Sequence, residues 1–138
     1  MARYLITGGC GFIGSTLADA LVACGNTVRI LDDLSTGDAA QAPAGADLIV
    51  GDVADAALVA DVMDGMDGCY HLAAIASVPR SHEDWLGTHA TNLTGTIAVL
   101  DAARRRRTPV VYASSAAVYG CNPRCPLDET AAPLPLSA

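Results

Sequence analysis

TGGCGFIG, residues 7–14, lies where an apolar strand pattern ends and a helical pattern begins. The four residues before it, Arg3–Ile6, are typical of a short buried strand, and Ile13, Leu17 and Leu21 follow at helical spacing. A glycine-rich segment in this position predicts a phosphate-binding turn, because the unpaired amides and the dipole at a helix N-terminus favour negative charge.

Three glycines in this turn, Gly8, Gly11 and Gly14, form the pattern GxxGxxG. The first glycine permits a tight turn, the second lets backbone amides approach a pyrophosphate, and the third lets helix and strand pack closely. The pattern therefore predicts a dinucleotide-binding turn. The alternative is a glycine-rich connection that binds no ligand.

An acidic pair follows the second strand pattern. Asp32 comes directly after Thr27–Leu31, eighteen positions after Gly14, which is close to the spacing of roughly 20 residues expected for a carboxylate that binds ribose hydroxyls. A carboxylate accepts hydrogen bonds from both hydroxyls but repels a 2′-phosphate, and Asp33 adds a second negative charge. The pair favours NAD over NADP as the cofactor.

The chain has 138 residues, of which 51% are hydrophobic and 17% are charged. This length predicts one domain, and the composition argues against disorder. No apolar run approaches the roughly 18 residues that cross a bilayer, and the N-terminus opens into a strand pattern without a signal segment. We therefore expect a cytoplasmic protein with no membrane partner.

The net charge of −7 argues against nucleic acid as a partner, because a phosphate backbone requires clustered positive charge. The run Arg104–Arg107 is the exception, and by itself it is compatible with a patch that binds an anionic surface. We prefer the interpretation that these arginines end a helix before Pro109, where positive charge complements the exposed carbonyls.

The five cysteines are odd in number, irregular in spacing and without a CxxC pair. We expect reduced thiols, no disulfide framework and no metal site. Cys10 is a special case because it lies in the phosphate turn near a helix N-terminus, where a lowered thiol pKa and reactivity in the absence of cofactor are expected.

Strand and helix patterns alternate along the chain, which predicts an α/β fold of the Rossmann type: a doubly wound parallel sheet with helices on both faces. The predicted strands are residues 2–7, 27–31, 47–50, 68–72 and 109–113, and the predicted helices are residues 11–24, 54–64 and about 83–106. Ligands of such sheets bind at the carboxyl ends of the strands. We therefore expect five strand ends to line one crevice: Thr7-Gly8, Asp32-Asp33, Gly51–Val53, Leu72–Ala74 and Ser114-Ser115.

Six motifs in order resemble those of the extended short-chain dehydrogenase/reductase family, above all its nucleotide-sugar epimerases and dehydratases. They are TGGCGFIG, DDLSTG at 32–37, GDV at 51–53, HLAAIASV at 71–78, TNLTGT at 91–96 and SSAAVYG at 114–120. The resemblance spans the whole chain, and six ordered motifs are more specific than any single one.

The resemblance implies a role for each motif. Phe12 and Ile13 flank the pyrophosphate, Asp52 and Val53 contact the adenine, and Leu72–Ala76 run beside the nicotinamide half. The implied NAD-binding residues are Gly8, Gly11, Phe12, Ile13, Gly14, Asp32, Asp33, Leu34, Ser35, Thr36, Gly37, Asp52, Val53, Leu72, Ala73, Ala74, Ala76, Thr91 and Asn92.

Ser115 falls on the family's catalytic serine. From the residues alone, two alternatives remain open: Asn92 as a helix residue with local hydrogen bonds, and Ser115 as a strand-end hydroxyl that satisfies backbone groups. His71 is expected to pack or to hydrogen-bond at its strand end, without a catalytic role.

The chemistry implied by the resemblance is transient oxidation of a sugar hydroxyl. A tyrosine with a lowered pKa takes the hydroxyl proton while hydride passes to NAD, and Ser115 hydrogen-bonds the reacting oxygen. In the family, this tyrosine and a lysine form a YxxxK sequence beyond the serine. The present sequence has no lysine, and neither Tyr112 nor Tyr119 begins such a motif. We therefore expect residues 1–138 to form an NAD-binding domain that stops before YxxxK and the substrate-binding portion, and to be inactive alone.

Three hypotheses remain open at this point. The first is the NAD-binding part of a nucleotide-sugar epimerase or dehydratase, the second is a reductase or dehydrogenase of the same family, and the third is a non-catalytic NAD-binding module. Retained NAD favours the first, whereas release of NADH favours the second. A nucleotide sugar is the expected substrate, and a homodimer is an open alternative because the family often pairs through two helices.

Overall fold

The computed structural model describes residues 1–123 and 126–136, which contain a five-stranded parallel sheet. The strands are β1 (Arg3–Thr7), β2 (Thr27–Asp32), β3 (Asp47–Val50), β4 (Gly68–His71) and β5 (Val110–Tyr112). The α-helices are α1 (Phe12–Ala23), α2 (Ala56–Val62), α3 (Val78–Glu83), α4 (Trp85–His89) and α5 (Thr96–Arg106). The strand order is β3-β2-β1-β4-β5, and every neighbouring pair is parallel. The predicted Rossmann-type fold is confirmed.

Side chains of the strands alternate between two cores, one on each face of the sheet. On β1, Leu5 packs into a core with residues of α2 and α5, such as Val59 and Val99. Its neighbour Ile6 packs into the opposite core with Ala18 of α1. Helices therefore cover both faces, and this explains why the central strands are apolar at consecutive positions.

The strand order reverses beside β1. From β1 the chain winds outward to β2 and β3, and then returns past β1 to form β4 and β5 on the other side. The helix that follows β1, α1, and the helix that precedes β4, α2, pack on opposite faces of the sheet, so a crevice opens between the carboxyl ends of β1 and β4. This is the place where a doubly wound sheet binds its ligand.

The helix boundaries agree with the predictions except around residue 84. The predicted helix from about 83 to 106 corresponds to a helical stretch that begins at Trp85, includes a π-helical segment at Ala90–Gly95 and ends in α5. Asp84 caps it, because its side chain accepts a hydrogen bond from the amide of Gly87. A separate helix, α3, precedes this cap, and its six residues are too few to show a helical period.

The run of arginines lies at the end of α5, in agreement with the interpretation that these residues end a helix before Pro109. Arg104, Arg105 and Arg106 occupy the last turn, and the first two form ion pairs with Asp101. Arg106 pairs with Asp64. The positive charges thus offset local carboxylates and the exposed carbonyls of the helix end. In the described part of the chain, no helix is both long and apolar enough to cross a membrane.

The chain after β5 forms one short 3₁₀ helix, Ala116–Tyr119, and otherwise lacks helix and strand in its described residues. One long-range backbone hydrogen bond joins this region to itself, from the amide of Leu134 to the carbonyl of Val118 at 2.8 Å. Most side chains here are exposed, and so are Val111 and Tyr112 of the edge strand β5.

Candidate functional site

A cleft of about 460 Å³ opens at the carboxyl ends of β1, β2, β3 and β4. Four of the five predicted strand ends therefore meet, and the fifth, after β5, does not line the cleft. The lining residues are Gly8, Gly11, Leu31, Asp32, Asp33, Ser35, Thr36, Gly37, Gly51, Val53, Leu72, Ala73, Ala74, Ile75, Ala76, Ser77, Arg80 and Thr91.

The structure brings thirteen of the predicted binding residues together in this cleft. They are Gly8, Gly11, Asp32, Asp33, Ser35, Thr36, Gly37, Val53, Leu72, Ala73, Ala74, Ala76 and Thr91. Seven predicted site residues are not among those that line it: Phe12, Ile13, Gly14, Leu34, Asp52, Asn92 and Ser115.

The glycine turn is closely packed against the neighbouring strand end. Gly8 has a φ of +71°, and a Cβ there would lie 2.7 Å from the amide nitrogen of Ala73. At Gly14 a Cβ would lie 2.2 Å from the carbonyl oxygen of Gly8. Both contacts involve backbone atoms, so neither position accepts a side chain without moving the turn. Gly14 thus contributes by permitting close packing rather than by lining the cleft.

The N-terminus of α1 presents amides beside this turn. Gly11 is the N-cap residue, and no side chain caps the helix. The side chains of Phe12 and Ile13 are 87% and 65% exposed. The first amides of a helix have no intrahelical acceptor, and together with the dipole they favour an anion. This geometry suits a pyrophosphate.

The buried Asp32 carboxylate ties the turn to the loop after β2. Its Oδ2 accepts from the amide of Cys10 and its Oδ1 from the amide of Leu34, each at 2.9 Å. An ionised carboxylate offers about four acceptor sites, so each oxygen retains capacity for a ribose hydroxyl. Asp33 is exposed and accepts from the amide of Ser35. Asp32 therefore serves the structure as well as the cleft.

Leu34 belongs to the loop, and its partly buried side chain packs against the core. It has a φ of +58°, which is unusual for a residue with a Cβ, and it packs against the core on the α1 face. Such strain costs on the order of 1–2 kcal/mol and is common at ligand-binding loops. The inward packing of Leu34 explains why it does not line the cleft.

The buried His71 side chain joins β1 and α5 through two hydrogen bonds. Its Nδ1 lies 2.6 Å from Thr7 Oγ1, and its Nε2 lies 2.9 Å from Thr96 Oγ1. Thr96 donates its own hydroxyl hydrogen to the carbonyl of Asn92, so it accepts from His71 Nε2–H, and Nδ1 accepts from Thr7. Burial lowers the pKa of His71 and so favours the neutral ring. The expectation of a hydrogen-bonded histidine at the strand end is confirmed.

Asn92 clamps the loop after β4 to the π-helical segment. Its Oδ1 accepts from the amide of Ile75 at 2.8 Å, and its Nδ2 donates to the carbonyl of Ile75 at 3.1 Å. These bonds join residues seventeen positions apart, so the alternative of local hydrogen bonds within the helix is wrong for this side chain. Asn92 positions lining residues without lining the cleft itself.

Ser115 is exposed and caps the 3₁₀ helix that follows it. Its Oγ accepts from the amide of Ala117 at 3.1 Å. This contact fits the alternative of a strand-end hydroxyl that satisfies a backbone group. Because the hydroxyl accepts this bond, its hydrogen remains available as a donor. Asp52 is likewise exposed, and its carboxylate accepts from the amide of Ala54.

The expectation of a reactive Cys10 is wrong. The side chain is fully buried, and burial first, then the charges of Asp32 and Asp38, raise its thiol pKa. Burial also raises the pKa of Cys69, to about 12. Within the described residues, no three His, Cys, Asp or Glu side chains lie together as metal ligands.

Three lining residues lie outside the sequence prediction: Leu31, Ser77 and Arg80. Ser77 is the N-cap of α3, and Arg80 follows it by three positions. A serine before Val78 and Pro79 is a capping signal that sequence inspection can find. The direction of Arg80 toward the cleft has no comparable signal, because it depends on how α3 packs.

A model of the NAD dependent epimerase/dehydratase family matches residues 4–138. The chain belongs to this family. A UDP-glucose 4-epimerase from Streptomyces lividans is 40% identical over 135 residues, which cover 94% of this chain and 40% of that protein. A dTDP-glucose 4,6-dehydratase from Streptomyces niveus is 37% identical over 140 residues, covering 92% of this chain and 42% of that protein.

Solved structures of the family have the same fold. The UDP-glucose 4-epimerase from Brucella ovis, crystallised in complex with NAD, matches with a TM-score of 0.91 at 36% identity. The match covers 99% of this chain and 42% of that one. The chain therefore spans about two fifths of the length of these relatives.

The cleft fits NAD, the cofactor of the epimerase/dehydratase family. The turn leaves no room for a Cβ at Gly8, the helix N-terminus lacks a side-chain cap, and Asp32 retains acceptor capacity. These three features correspond to a close backbone approach, a diphosphate and a ribose diol.

Proposed function

We propose that this chain is the cofactor-binding part of an enzyme that epimerises or dehydrates a nucleotide-diphosphate sugar by transient hydride transfer to NAD. One observation carries the proposal: four strand ends form a single cleft that joins the glycine turn, Asp32 and the loop after β4. Family membership supports the reaction class, and the relatives act on nucleotide sugars by name.

Each end of the cleft is assigned by its chemistry. Asp32 binds the ribose hydroxyls of the adenosine half, and Val53, on the β3 side, contacts the adenine. The amides of Phe12 and Ile13 bind the pyrophosphate. The apolar residues after β4, Leu72–Ala76, lie beside the nicotinamide. When bound, NAD supplies a hydride acceptor that the side chains lack.

The proposed catalytic residue of the chain is Ser115. It follows β5, which pairs with β4, so it lies on the same side of the sheet centre as the loop assigned to the nicotinamide. Its hydroxyl hydrogen is free to hydrogen-bond the reacting sugar oxygen, and it stabilises charge that develops there. The described residues leave Ser115 outside the cleft, so this role requires substrate to extend beyond the cleft.

Titration and turnover of the protein expressed from its complete gene test the proposal. We expect NAD to bind at least about tenfold more tightly than NADP, measured by calorimetry. With UDP-glucose and dTDP-glucose, we expect conversion of the sugar without stoichiometric accumulation of NADH, measured by absorbance and product analysis.

Other outcomes separate the alternatives. Accumulation of NADH in proportion to product identifies a dehydrogenase of the same family. Binding of NAD without conversion of any nucleotide sugar identifies a non-catalytic module. Failure to bind NAD contradicts the proposal as a whole.

The homodimer stays a prediction. Leu93, Ile97 and Leu100 are exposed and recur at helical spacing along the π-helical segment and α5, which supports pairing through this helical stretch. Light scattering of the protein and of an Ile97→Glu variant measures the oligomeric state directly.

A further inference from the structure

Arg80 is the one cationic side chain among the described residues that line the cleft. The other charged lining residues are Asp32 and Asp33, which make this region negative. The chain as a whole carries a net charge of −7. A positive side chain at a negatively charged cleft of a negatively charged protein requires an explanation.

Arg80 also differs from most other arginines in its pairing. Ion pairs among residues 1–123 and 126–136 engage Arg3, Arg29, Arg104, Arg105 and Arg106. Arg80 forms none with a described carboxylate. Its guanidinium therefore retains its donors, in the planar arrangement that matches two oxygens of a phosphate.

The backbone at Arg80 is fixed even though its side chain is exposed. Its amide donates to Ser77 Oγ, the N-cap of α3, and its carbonyl accepts from the amide of Asp84. Pro79 restricts the preceding position. The short helix thus holds one end of the arginine side chain at the rim of the cleft.

We propose that Arg80 binds a diphosphate group in the cleft, either that of the cofactor or that of a nucleotide-sugar substrate. The inference rests on the proposed function, because it takes the cleft as the NAD site. The helix N-terminus at Phe12 contributes only about half a positive charge. The carboxylates of Asp32 and Asp33 line the same cleft, and the chain as a whole is negative. A diphosphate therefore needs a full countercharge, and Arg80 supplies it.

The position of Arg80 makes both sources of diphosphate accessible. It follows β4, so it lies toward the side of the cleft assigned to the nicotinamide, yet it shares the cleft with Gly8 and Gly11 of the phosphate turn. A diphosphate on the turn and one on a substrate that approaches the nicotinamide have the same chemistry. The experiment must distinguish them.

The test uses the protein expressed from its complete gene, with the variants Arg80→Gln and Arg80→Lys. Arg105→Gln is the matched control, because it removes the same charge at the far end of α5 while Arg104 still pairs with Asp101. Dissociation constants for NAD, UDP-glucose and dTDP-glucose are measured by calorimetry at low and high salt.

We expect Arg80→Gln to weaken the binding of one ligand roughly tenfold at low salt, and by a smaller factor at high salt. Arg80→Lys should retain part of the affinity, and Arg105→Gln should leave every dissociation constant unchanged. A loss confined to NAD assigns Arg80 to the cofactor diphosphate. A loss confined to a nucleotide sugar assigns it to the substrate. Equal affinities of wild type and Arg80→Gln for every ligand that binds overturn the proposal. If wild type binds none of the three, the proposed function itself fails.

Discussion

The cleft and the segment after β5 are held together in different ways. In the cleft, the side chains that fix the site join distant parts of the chain: Thr7 with His71 across 64 positions, Cys10 with Asp32 across 22, and Ile75 with Asn92 across 17. After β5, the side-chain hydrogen bonds of Ser115 and Asp128 reach only two positions along the chain.

This difference shows that the cleft is preorganised, whereas the segment after β5 is not fixed to the same degree. Hydrogen bonds between distant residues, of which those of His71 and Asp32 are buried, fix the cleft, so its geometry depends on the whole sheet being formed. Local contacts after β5 order single turns and leave most side chains exposed. The cleft is thus fixed within this chain, whereas the segment that carries Ser115 has little tertiary support among the described residues.

The largest effect is expected from Gly14→Ala, which forces a Cβ into the glycine turn. The added Cβ would lie 2.2 Å from the Gly8 carbonyl oxygen, a backbone atom that cannot move away without shifting the turn. We expect a loss of roughly 3 kcal/mol in the free energy of unfolding and loss of measurable NAD binding, by urea denaturation and calorimetry.

Gly25→Ala is the control, because Gly25 has a φ of +78° but nothing within 4 Å of a Cβ. It carries only the backbone penalty of about 1 kcal/mol, and NAD affinity is unchanged. Equal effects of the two substitutions would mean that the turn is not a closely packed site.

A smaller loss is expected from Asn92→Ala, which removes the clamp on Ile75. Two hydrogen bonds disappear, so we expect a destabilisation of roughly 2 kcal/mol and weaker NAD binding, because the loop that lines the cleft is released. Asn26→Ala is a matched control. Asn26 also bridges two backbone groups, accepting from Ala2 and donating to Leu21, but away from the cleft. Stability should fall in both variants, and NAD affinity only in Asn92→Ala.

Next in size is a dependence of stability on pH that His71 causes. Its pKa is lowered in the folded protein by burial, so the unfolded state binds the proton more readily. The contribution of the neutral ring to the free energy of unfolding is complete above the ordinary histidine pKa of about 6.5. It is lost as the pH falls below that value. Urea denaturation across this range should show a steeper fall for the wild type than for His71→Gln. Parallel curves for the two proteins would place the titration elsewhere.

The smallest effect on NAD binding and stability is expected from Ser115→Ala. This residue lies in the segment after β5, which has few contacts with the rest of the described chain. The substitution removes a cap from a short 3₁₀ helix, which costs about 1 kcal/mol or less. NAD affinity should stay within experimental error, while sugar conversion by the complete protein should fall strongly if Ser115 contacts the reacting oxygen. A clear loss of NAD affinity would show that the segment after β5 is coupled to the cleft.

Much of the fold was predictable because local patterns carry it. The apolar period of β1, the glycine turn and the acidic end of β2 each fit within a short window, and β3 was predicted at its observed bounds. The separate helix α3 was not predicted, because its six residues show no period and it depends on the Ser77 cap and Asp84. The error at Cys10 has a similar origin, since proximity to a helix N-terminus says nothing about burial.

By itself the sequence determined the alternation of strands and helices, the glycine turn and the position of Asp32 at the end of β2, because these depend on residue type and spacing. Only the tertiary structure decided that Asn92 clamps Ile75, that Leu34 packs against the core and that Arg80 lines the cleft. Those facts depend on which elements pack together. A side chain's partner across the sheet is set by the topology and the packing of helices, and neither can be obtained from a local window of sequence.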